Sequence, residues 1–235
     1  MKNNTLPFLV NDDFAAPLAE QGLVIKCTGF DVAAYQPDCY QQFNIPLPQR
    51  VSKAVPKRQA EFLAGRYCAA RALSALGSDN LNVQSGENRI PIWPQKTIGS
   101  ISHTAGKAVA VAGWQRDYAG VGIDCETLVS DEVCERIYDT ITTPEDSQLF
   151  DNGCWQKPWF FTLMFSAKES LFKALYPTVN KYFGFDKAQL LEVTEEGFVI
   201  ALRETLNSRW QKGQTFSGRY LSLDGYLVTL LMLPH

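Results

Sequence analysis

The alternation of apolar and polar residues divides the chain into two similar series of elements. The first series begins with a helix predicted from Pro56 to just before Gly77, since proline is tolerated in a first turn and glycine often follows a last turn. The prolines of Asn44–Pro56 predict a loop before it. Three strands are predicted next, at Ile98–Ser102, Lys107–Gly113 and Tyr118–Glu126, and the first two have the spacing of a hairpin.

The second series repeats this order of a helix followed by strands. An aromatic-rich helix is predicted over Trp159–Tyr176, ending before Pro177. Strands are predicted at Phe198–Arg203, Arg219–Leu223 and Tyr226–Leu233. The pattern predicts an α+β chain with an N-terminal half of residues 1–118 and a C-terminal half of residues 119–235.

Charge is distributed unevenly along the chain. The 235 residues are 46% apolar and 20% charged, which is typical of a globular protein. A net charge of −3 gives no electrostatic support to nucleic-acid binding. One short stretch is nevertheless basic, with Arg50, Lys53, Lys57, Arg58, Arg66 and Arg71. Such a patch on a mildly acidic chain predicts a small polyanionic ligand.

Composition also limits the location of the protein and its metal chemistry. No segment approaches the ~18 consecutive apolar residues of a membrane span. Asp12 and Asp13 interrupt the region where an export signal would be apolar, so we expect a cytoplasmic protein. The six cysteines form no Cys-x-x-Cys pair, and we expect reduced thiols. His103 and His235 are the only histidines, which excludes a histidine-rich metal site.

A pair of carboxylates occupies the third predicted strand. Side chains alternate along a strand, so Asp124 and Glu126 point to the same side. Two adjacent carboxylates repel unless a cation or a proton lies between them, and Mg²⁺ prefers oxygen ligands of this kind. For an isolated Asp-x-Glu, which is a very common tripeptide, a solvated polar face is the better interpretation, so the pair needs a third ligand before it indicates a metal site.

A second acidic position lies on the aromatic-rich helix. Helical spacing places Glu169 on one side with Phe165, Phe172 and Tyr176, so its carboxylate is expected among apolar groups. Burial raises the pKa of a carboxylate and a neighbouring lysine lowers it, which suits a general base. Lys173 lies one turn further on. Taken alone, a surface Glu–Lys pair of about 0.2–0.5 kcal/mol is the simpler interpretation.

The first hairpin strand ends in hydroxyl groups and a histidine. Ser102 and His103 could donate hydrogen bonds to phosphate oxygens. A turn residue that ends the hairpin strand is the simpler interpretation of a lone histidine.

Four segments, in this order, resemble the 4′-phosphopantetheinyl transferases, and in particular the enterobactin synthetase component D type within the surfactin-type group. They are Lys57–Arg66, Arg89–Pro94 leading to Gly99–His103, Gly122–Glu126 and Phe165–Lys173. Each motif is short, but four in register are specific. The resemblance as a whole extends over about residues 57 to 186, whereas the first 50 and the last 40 residues match only loosely.

The resemblance implies a fold and a set of residue roles. It implies two pseudosymmetric halves, each a helix packed on a small antiparallel sheet, with the active site at their interface. By position, the metal ligands are Asp124, Glu126 and Glu169. The coenzyme A pocket is assigned Arg58, Arg66, Arg89, Ser102, His103 and Lys173. Catalysis is assigned to Glu169, Lys173 and Asp124. Cys125 stands where an apolar residue is usual, and Phe62 where histidine is frequent.

The resemblance also implies the reaction and its partners. A Mg²⁺-dependent enzyme, with Mn²⁺ as an alternative, would transfer 4′-phosphopantetheine from coenzyme A to a serine of apo acyl, aryl or peptidyl carrier proteins. The component D likeness points to the carriers of a nonribosomal peptide synthetase for a catecholate siderophore such as enterobactin. We expect a monomer. The region between Glu126 and Trp155 and the run Trp159–Phe161 could dock the carrier, although most of these aromatics are expected in the core.

Two other functions stay open from the residues alone. One is a coenzyme A-binding or carrier-binding protein without turnover. The other is a serine hydrolase, since Ser170–Lys173 forms an S-x-x-K motif and Ser78–Asn80 forms an S-D-N motif. Their order along the chain is the reverse of that in serine β-lactamases, and the chain has no Lys-Thr-Gly, so this function is disfavoured.

Overall fold

The computed structural model describes residues 7–86, 90–223 and 225–235. The chain forms two compact units, Met1–Asp117 and Tyr118–His235, and each contains helices and antiparallel sheet. The predicted α+β class is therefore confirmed. Among the described residues, no helix has the length and apolar character needed to span a bilayer.

The first unit is a four-stranded antiparallel sheet covered by one long helix. Four strands form this sheet and two form a separate hairpin. In chain order the six strands of the unit are β1 (Leu9–Asn11), β2 (Leu23–Phe30), β3 (Gln84–Ser85), β4 (Pro91–Ile92), β5 (Thr97–Thr104) and β6 (Lys107–Trp114). Its helices are α1 (Cys39–Gln42), α2 (Gln49–Ser52) and α3 (Pro56–Leu76). The sheet order is β1-β2-β6-β5, while β3 and β4 form a separate hairpin.

Helix α3 follows the sequence prediction closely. Pro56 opens its first turn, and Gly77 ends it with a φ of 84°, a left-handed conformation that favours glycine. Its buried face carries the small residues Ala60, Ala64, Ala69 and Ala72, which pack on the alanines of β6. A Cβ on Gly65 would lie 2.8 Å from Ile101 Cγ2. Small side chains therefore let α3 lie close to the sheet.

The second unit is a five-stranded antiparallel sheet with its own long helix. Its strands are β7 (Gly120–Thr127), β8 (Ala188–Val193), β9 (Gly197–Leu202), β10 (Thr215–Leu223) and β11 (Tyr226–Leu233). Its helices are α4 (Asp131–Ile141), α5 (Pro144–Asn152) and α6 (Lys157–Val179). The sheet order is β7-β11-β10-β9-β8. Phe160 and Phe161 lie in the core of this unit, so the core interpretation of these aromatics is confirmed.

Two glycines of β7 let the strand approach α6. A Cβ on Gly120 would lie 2.6 Å from the Ala174 carbonyl oxygen. A Cβ on Gly122 would fall well inside van der Waals contact with the Ser170 carbonyl oxygen. The helix backbone therefore lies directly against β7, two residues before Asp124. This contact fixes the distance between the strand carboxylates and the side chains of α6.

Several element boundaries differ from the sequence prediction, and two of the differences involve proline. Helix α6 continues through Pro177 to Val179 and ends at Asn180, whose φ is 50°. Pro177 cannot donate a hydrogen bond to the Lys173 carbonyl, but only two residues of the helix follow it, so little of the helix is affected. The predicted loop Asn44–Pro56 contains the one-turn helix α2, because Pro48 precedes its first turn and leaves the helical backbone intact.

Candidate active site

Asp124 and Glu126 lie side by side on β7, as the strand alternation predicts. They pair with Thr229 and Leu227 of β11, respectively. Asp124 is only 2% exposed, and Glu126 is half-buried. A solvated polar face is therefore the wrong interpretation of Asp124. Together with Glu169 and Lys173 of α6, these two residues form what we call the acidic cluster.

Lys173 connects the helix to the strand. Its Nζ donates hydrogen bonds to Asp124 Oδ1 at 2.6 Å and to the Ile123 carbonyl at 3.2 Å. Burial alone would lower the pKa of Lys173, but the Asp124 and Glu169 carboxylates raise it above its ordinary value. The side chain is therefore an ammonium at neutral pH. This contact reaches across to the sheet, so a pair along the helix surface does not describe Lys173.

The pKa values of the two glutamates of the cluster are raised. Burial and the Asp124 carboxylate raise the pKa of Glu126 to about 8, against the opposing effect of Lys173. Burial also raises the pKa of Glu169, while Lys173 opposes the shift. One ammonium does not neutralise three carboxylates in a half-buried environment, so the cluster favours binding a further proton or cation.

The donor atoms of the cluster suit a hard divalent cation. Asp124, Glu126 and Glu169 offer carboxylate oxygens alone, which is the chemistry that Mg²⁺ prefers. In residues 7–86, 90–223 and 225–235, however, no three acidic, histidine or cysteine side chains are arranged to hold a metal ion. Asp124 Oδ1 is instead engaged by the Lys173 ammonium. The residue types and the excess charge fit the cation, with side-chain rearrangement required to close around it.

The first unit contains a cavity of about 270 Å³ with a cationic wall, which we call the arginine cavity. It is lined by Arg50, Val51, Ala54, Arg58, Glu61, Phe62, Gly65, Arg66, Pro91, Ile101 and His103. One carboxylate, that of Glu61, faces three guanidinium groups, and its nearest contact to Arg58 is 3.6 Å. The excess of positive charge suits an anion such as a phosphate.

Arg58 and His103, which are 45 positions apart, meet in this cavity. The Arg58 NH1 atom lies 2.9 Å from His103 Nε2. A guanidinium group can only donate, so His103 accepts at Nε2 and carries its proton on Nδ1. The imidazole is therefore neutral in this arrangement, and the guanidinium remains the cation available to a ligand.

Arg66 is the most buried cation of the arginine cavity. It is 9% exposed, and its NH2 group donates to the Gln84 carbonyl at 3.3 Å and to Ser85 Oγ at 3.4 Å. Its Nε has no hydrogen-bond partner among the described residues. Burial and the neighbouring charge of Arg58 lower the pKa of Arg66 to about 10, so it stays charged at neutral pH. A buried charge with an unused donor favours an anionic ligand.

The structure does not bring every residue of the predicted site together. Ser102 is buried on β5, and strand alternation points its side chain to the face opposite Ile101 and His103, which line the arginine cavity. Arg89 lies outside the described residues. Arg50, which the sequence placed in the basic stretch without a site role, does line the cavity.

Three buried hydroxyls beside Asp124 were missed by the sequence interpretation. Ser166 Oγ donates to Asp124 Oδ2 at 2.8 Å, and Thr229 and Ser170 continue the contact away from the cluster. The helical spacing of Ser166 and Ser170, one turn apart next to Glu169, could have indicated these two residues, but no sequence signal pointed to Thr229. Because Ser170 is fully buried against Thr229, the S-x-x-K hydrolase interpretation is wrong.

Comparison with known proteins identifies the chain's relatives. A family model described as the 4′-phosphopantetheinyl transferase N-terminal domain matches residues 47–113. A second, described as the 4′-phosphopantetheinyl transferase superfamily, matches residues 120–230. Together they cover both the arginine cavity and the acidic cluster.

Individual relatives agree with these family models. The chain is 33% identical over 223 residues to enterobactin synthase component D of Salmonella typhimurium, covering 93% of this chain and 92% of that protein. It is 39% identical over 157 residues to the protein of that name from Escherichia coli O157:H7, covering 66% and 72%. It is 29% identical over 196 residues to 4′-phosphopantetheinyl transferase Npt of Nocardia iowensis, covering 77% and 85%. The chain therefore belongs to the 4′-phosphopantetheinyl transferase superfamily.

Proposed function

We propose that this chain transfers the 4′-phosphopantetheine group of coenzyme A to a serine hydroxyl of apo carrier proteins and releases 3′,5′-ADP. The observation that carries the proposal is the Lys173 ammonium, held 2.6 Å from Asp124 in the field of Glu126 and Glu169. Phosphoryl transfer requires mainly positioning and charge neutralisation, and a cluster of this kind supplies both.

The arginine cavity would hold phosphate groups of the coenzyme. Arg50, Arg58 and Arg66 place three guanidinium groups on one cavity wall, and Arg66 keeps an unused donor at Nε. A phosphate would relieve the repulsion between Arg58 and Arg66 and would accept from donors in a fixed geometry. We assign the 3′-phosphate to Arg58 and His103. The family resemblance places His103, with Ser102, near the 3′-phosphate and pyrophosphate, and it places Arg58 among the basic residues of the coenzyme pocket.

The acidic cluster would carry out the transfer. Asp124, Glu126 and Glu169 would hold Mg²⁺, or Mn²⁺, which when bound supplies charge neutralisation for the pyrophosphate. The carrier serine Oγ forms a bond to the pantetheine-side phosphorus, and the bond from that phosphorus to the bridging oxygen breaks. Glu169 takes the serine proton, which is the role that the family resemblance assigns to it. Lys173 donates to the leaving oxygen of 3′,5′-ADP.

For the carriers, we propose the aryl and peptidyl carrier domains of a catecholate siderophore synthetase. Support comes from the relatives named enterobactin synthase component D, of which the Salmonella typhimurium protein aligns over nearly its full length. The five buried free cysteines agree with a reducing, cytoplasmic location, which stays a prediction.

The test is transfer to a panel of apo carriers, measured by mass spectrometry with coenzyme A and Mg²⁺. We expect the wild-type protein to add the phosphopantetheine mass to siderophore carriers faster than to a fatty-acid carrier. Glu169→Gln should lower the rate by about 10²–10⁴-fold, the usual contribution of a general base. The exposed Glu196→Gln is the matched control and should keep wild-type activity.

Two outcomes would contradict the proposal. One is wild-type activity in Glu169→Gln. The other is coenzyme A binding by the wild-type protein without modification of any carrier, which would favour the binding protein without turnover. Equal rates on siderophore and fatty-acid carriers would contradict only the pathway assignment.

A further inference from the structure

A chain of buried hydroxyl groups lies behind the acidic cluster, and we call it the hydroxyl network. It consists of Ser166 and Ser170 on α6 and Thr229 on β11, all fully buried. Thr229 Oγ1 lies 2.9 Å from Ser166 Oγ and 2.7 Å from Ser170 Oγ. Ser166 Oγ then donates to Asp124 Oδ2 at 2.8 Å. The network therefore ends on one oxygen of one carboxylate.

One proton of this network, that of Ser166, has a fixed acceptor. An ionised carboxylate accepts only, so the single hydroxyl proton of Ser166 goes to Asp124. The single proton of Thr229 has the Ser166 carbonyl, at 2.9 Å, and Ser166 Oγ, also at 2.9 Å, within reach. Ser170 is left to donate to Thr229, at its Oγ1 or at its carbonyl oxygen. In either arrangement Thr229 Oγ1 lies against Ser166 Oγ, which donates to Asp124.

The two oxygens of Asp124 are thereby given different partners. Oδ2 accepts from Ser166, and Oδ1 accepts from Lys173 at 2.6 Å. A carboxylate held at both oxygens cannot rotate about its terminal torsion, which is broad in a free side chain. Gly122 places the backbone of α6 against β7 and so sets the reach of Ser166.

We propose that the hydroxyl network is a positioning device for Asp124, with Ser166 as its main positioning residue. It holds Oδ1 towards Lys173 and Oδ2 towards Ser166, which fixes the orientation of the carboxylate. This inference rests on the proposed function, in which Asp124 is a metal ligand. Groups that orient a ligand from behind commonly change metal affinity or activity by about 10–100-fold when they are removed.

Three substitutions grade the network by distance from Asp124. Ser166→Ala removes the contact to Oδ2, and we expect Mn²⁺ affinity and kcat to fall about 10–100-fold, with KM for coenzyme A unchanged. Thr229→Val and Ser170→Ala act one and two steps further away and should have progressively smaller effects. Ser166→Thr keeps a hydroxyl at this position and should restore most of the loss. Mn²⁺ binding is measured by electron paramagnetic resonance, independently of turnover.

Thr162→Val is the matched control for buried hydroxyls on α6. Thr162 Oγ1 donates to the Pro158 carbonyl and accepts from Val129 N, with no link to Asp124. The proposal requires Thr162→Val to keep wild-type Mn²⁺ affinity and kcat even where its thermal stability falls. Equal losses in Ser166→Ala and Thr162→Val, or no loss in Ser166→Ala, would overturn it.

A crystal structure of Ser166→Ala separates this inference from the proposed function. The inference requires the Asp124 carboxylate to rotate or to lose its contact with Lys173, whether or not the protein modifies carriers. An Asp124 carboxylate that keeps its wild-type orientation and its contact with Lys173 in Ser166→Ala would overturn the positioning role. A wild-type protein that modifies no carrier would contradict the proposed function and leave this structural result intact.

Discussion

The Lys173 ammonium lies near three carboxylates, those of Asp124, Glu126 and Glu169. In its ion pair with Asp124 the carboxylate is buried and the lysine side chain is partly exposed. We predict that Lys173→Met lowers the single-turnover transfer rate by about 10²–10³-fold, the range for losing one charge-stabilising donor. Lys173→Arg should retain part of the rate, because the charge stays while the geometry of the donor changes. Rapid-quench measurement of carrier modification checks both variants.

Lys157→Met provides the control at the residue scale. Lys157 lies on the same helix and forms a 3.8 Å ion pair with the exposed Glu135. Surface pairs of this kind contribute little, so the transfer rate should stay at the wild-type value. A Lys173→Met rate within a factor of three of wild type would remove Lys173 from the mechanism.

At the scale of elements, the contact of β7 with α6 sets the position of the acidic cluster. We predict that Gly122→Ala destabilises the protein, because the added Cβ meets the Ser170 carbonyl of the helix backbone, which cannot rotate away. Overpacking costs about 1–3 kcal/mol, and the resulting strand displacement should also lower transfer activity. Urea unfolding and the carrier assay measure the two effects.

Gly29→Ala is the matched substitution in a strand. A Cβ on Gly29 would find its nearest neighbour at 3.7 Å, an ordinary contact. Its unfolding midpoint should stay close to that of the wild type. Equal stability of both alanine variants would show that β7 can move away from α6 without loss.

A buried ion pair anchors α6 from its other side. Lys168 Nζ donates to Asp146 Oδ2 at 2.6 Å and to the Ile141 carbonyl at 2.8 Å, and both charged side chains are buried. Asp146 also accepts from Leu190 N of β8 at 2.7 Å, so the pair joins α5, α6 and β8. We predict that Lys168→Met lowers the free energy of unfolding by about 3–5 kcal/mol, because it leaves a buried charge without its partner.

Urea unfolding followed by circular dichroism measures this loss. Lys187→Met removes a lysine paired with Asp186 and Glu204 at the exposed surface and serves as the control. Its unfolding curve should overlay that of the wild type. Similar curves for the two lysine variants would contradict a structural role of the buried pair.

Over the whole molecule, local signals in the sequence predicted more than long-range partners. Helix α3, the β5–β6 hairpin and strands β9 to β11 follow from proline, glycine and alternation, which act over a few residues. Asp124 and Lys173 are 49 positions apart, and their contact depends on Gly122 packing against α6. The predicted strand ends at Ser102, so alternation is not extended to His103, although the two side chains point to opposite faces of β5.

The separate distribution of charge in the two units explains why the net charge of the whole chain is a poor guide to its function. The chain carries −3 overall, yet the first unit concentrates three arginines in one cavity and the second unit concentrates three carboxylates around one lysine. The arginine cavity of the first unit suits an anion, and the acidic cluster of the second unit suits a cation. In the proposed reaction the arginines bind the nucleotide, while the carboxylates and Lys173 act on the reacting phosphate.

This division predicts how the protein distinguishes coenzyme A from 3′-dephospho-coenzyme A. The wild-type protein should prefer coenzyme A, since Arg58 and His103 would contact the 3′-phosphate. Arg58→Gln should raise KM for coenzyme A by about 10–100-fold, in line with ~1.5–3 kcal/mol for a charged hydrogen bond, and leave kcat nearly unchanged. Its KM for dephospho-coenzyme A should change little, because the lost donor has no phosphate to contact.

Arg116→Gln tests whether the effect belongs to the cavity rather than to the charge of the first unit. Arg116 is exposed beside Trp114 and does not line the arginine cavity, so its variant should keep the wild-type preference between the two coenzymes. Initial rates of the wild type and both variants on one apo carrier, measured with each coenzyme, give the six KM values needed. An equal rise in KM for both coenzymes in Arg58→Gln would move the 3′-phosphate out of this cavity. Loss of kcat with unchanged KM would instead place Arg58 at the reacting phosphate, because only interactions made in the transition state change kcat alone.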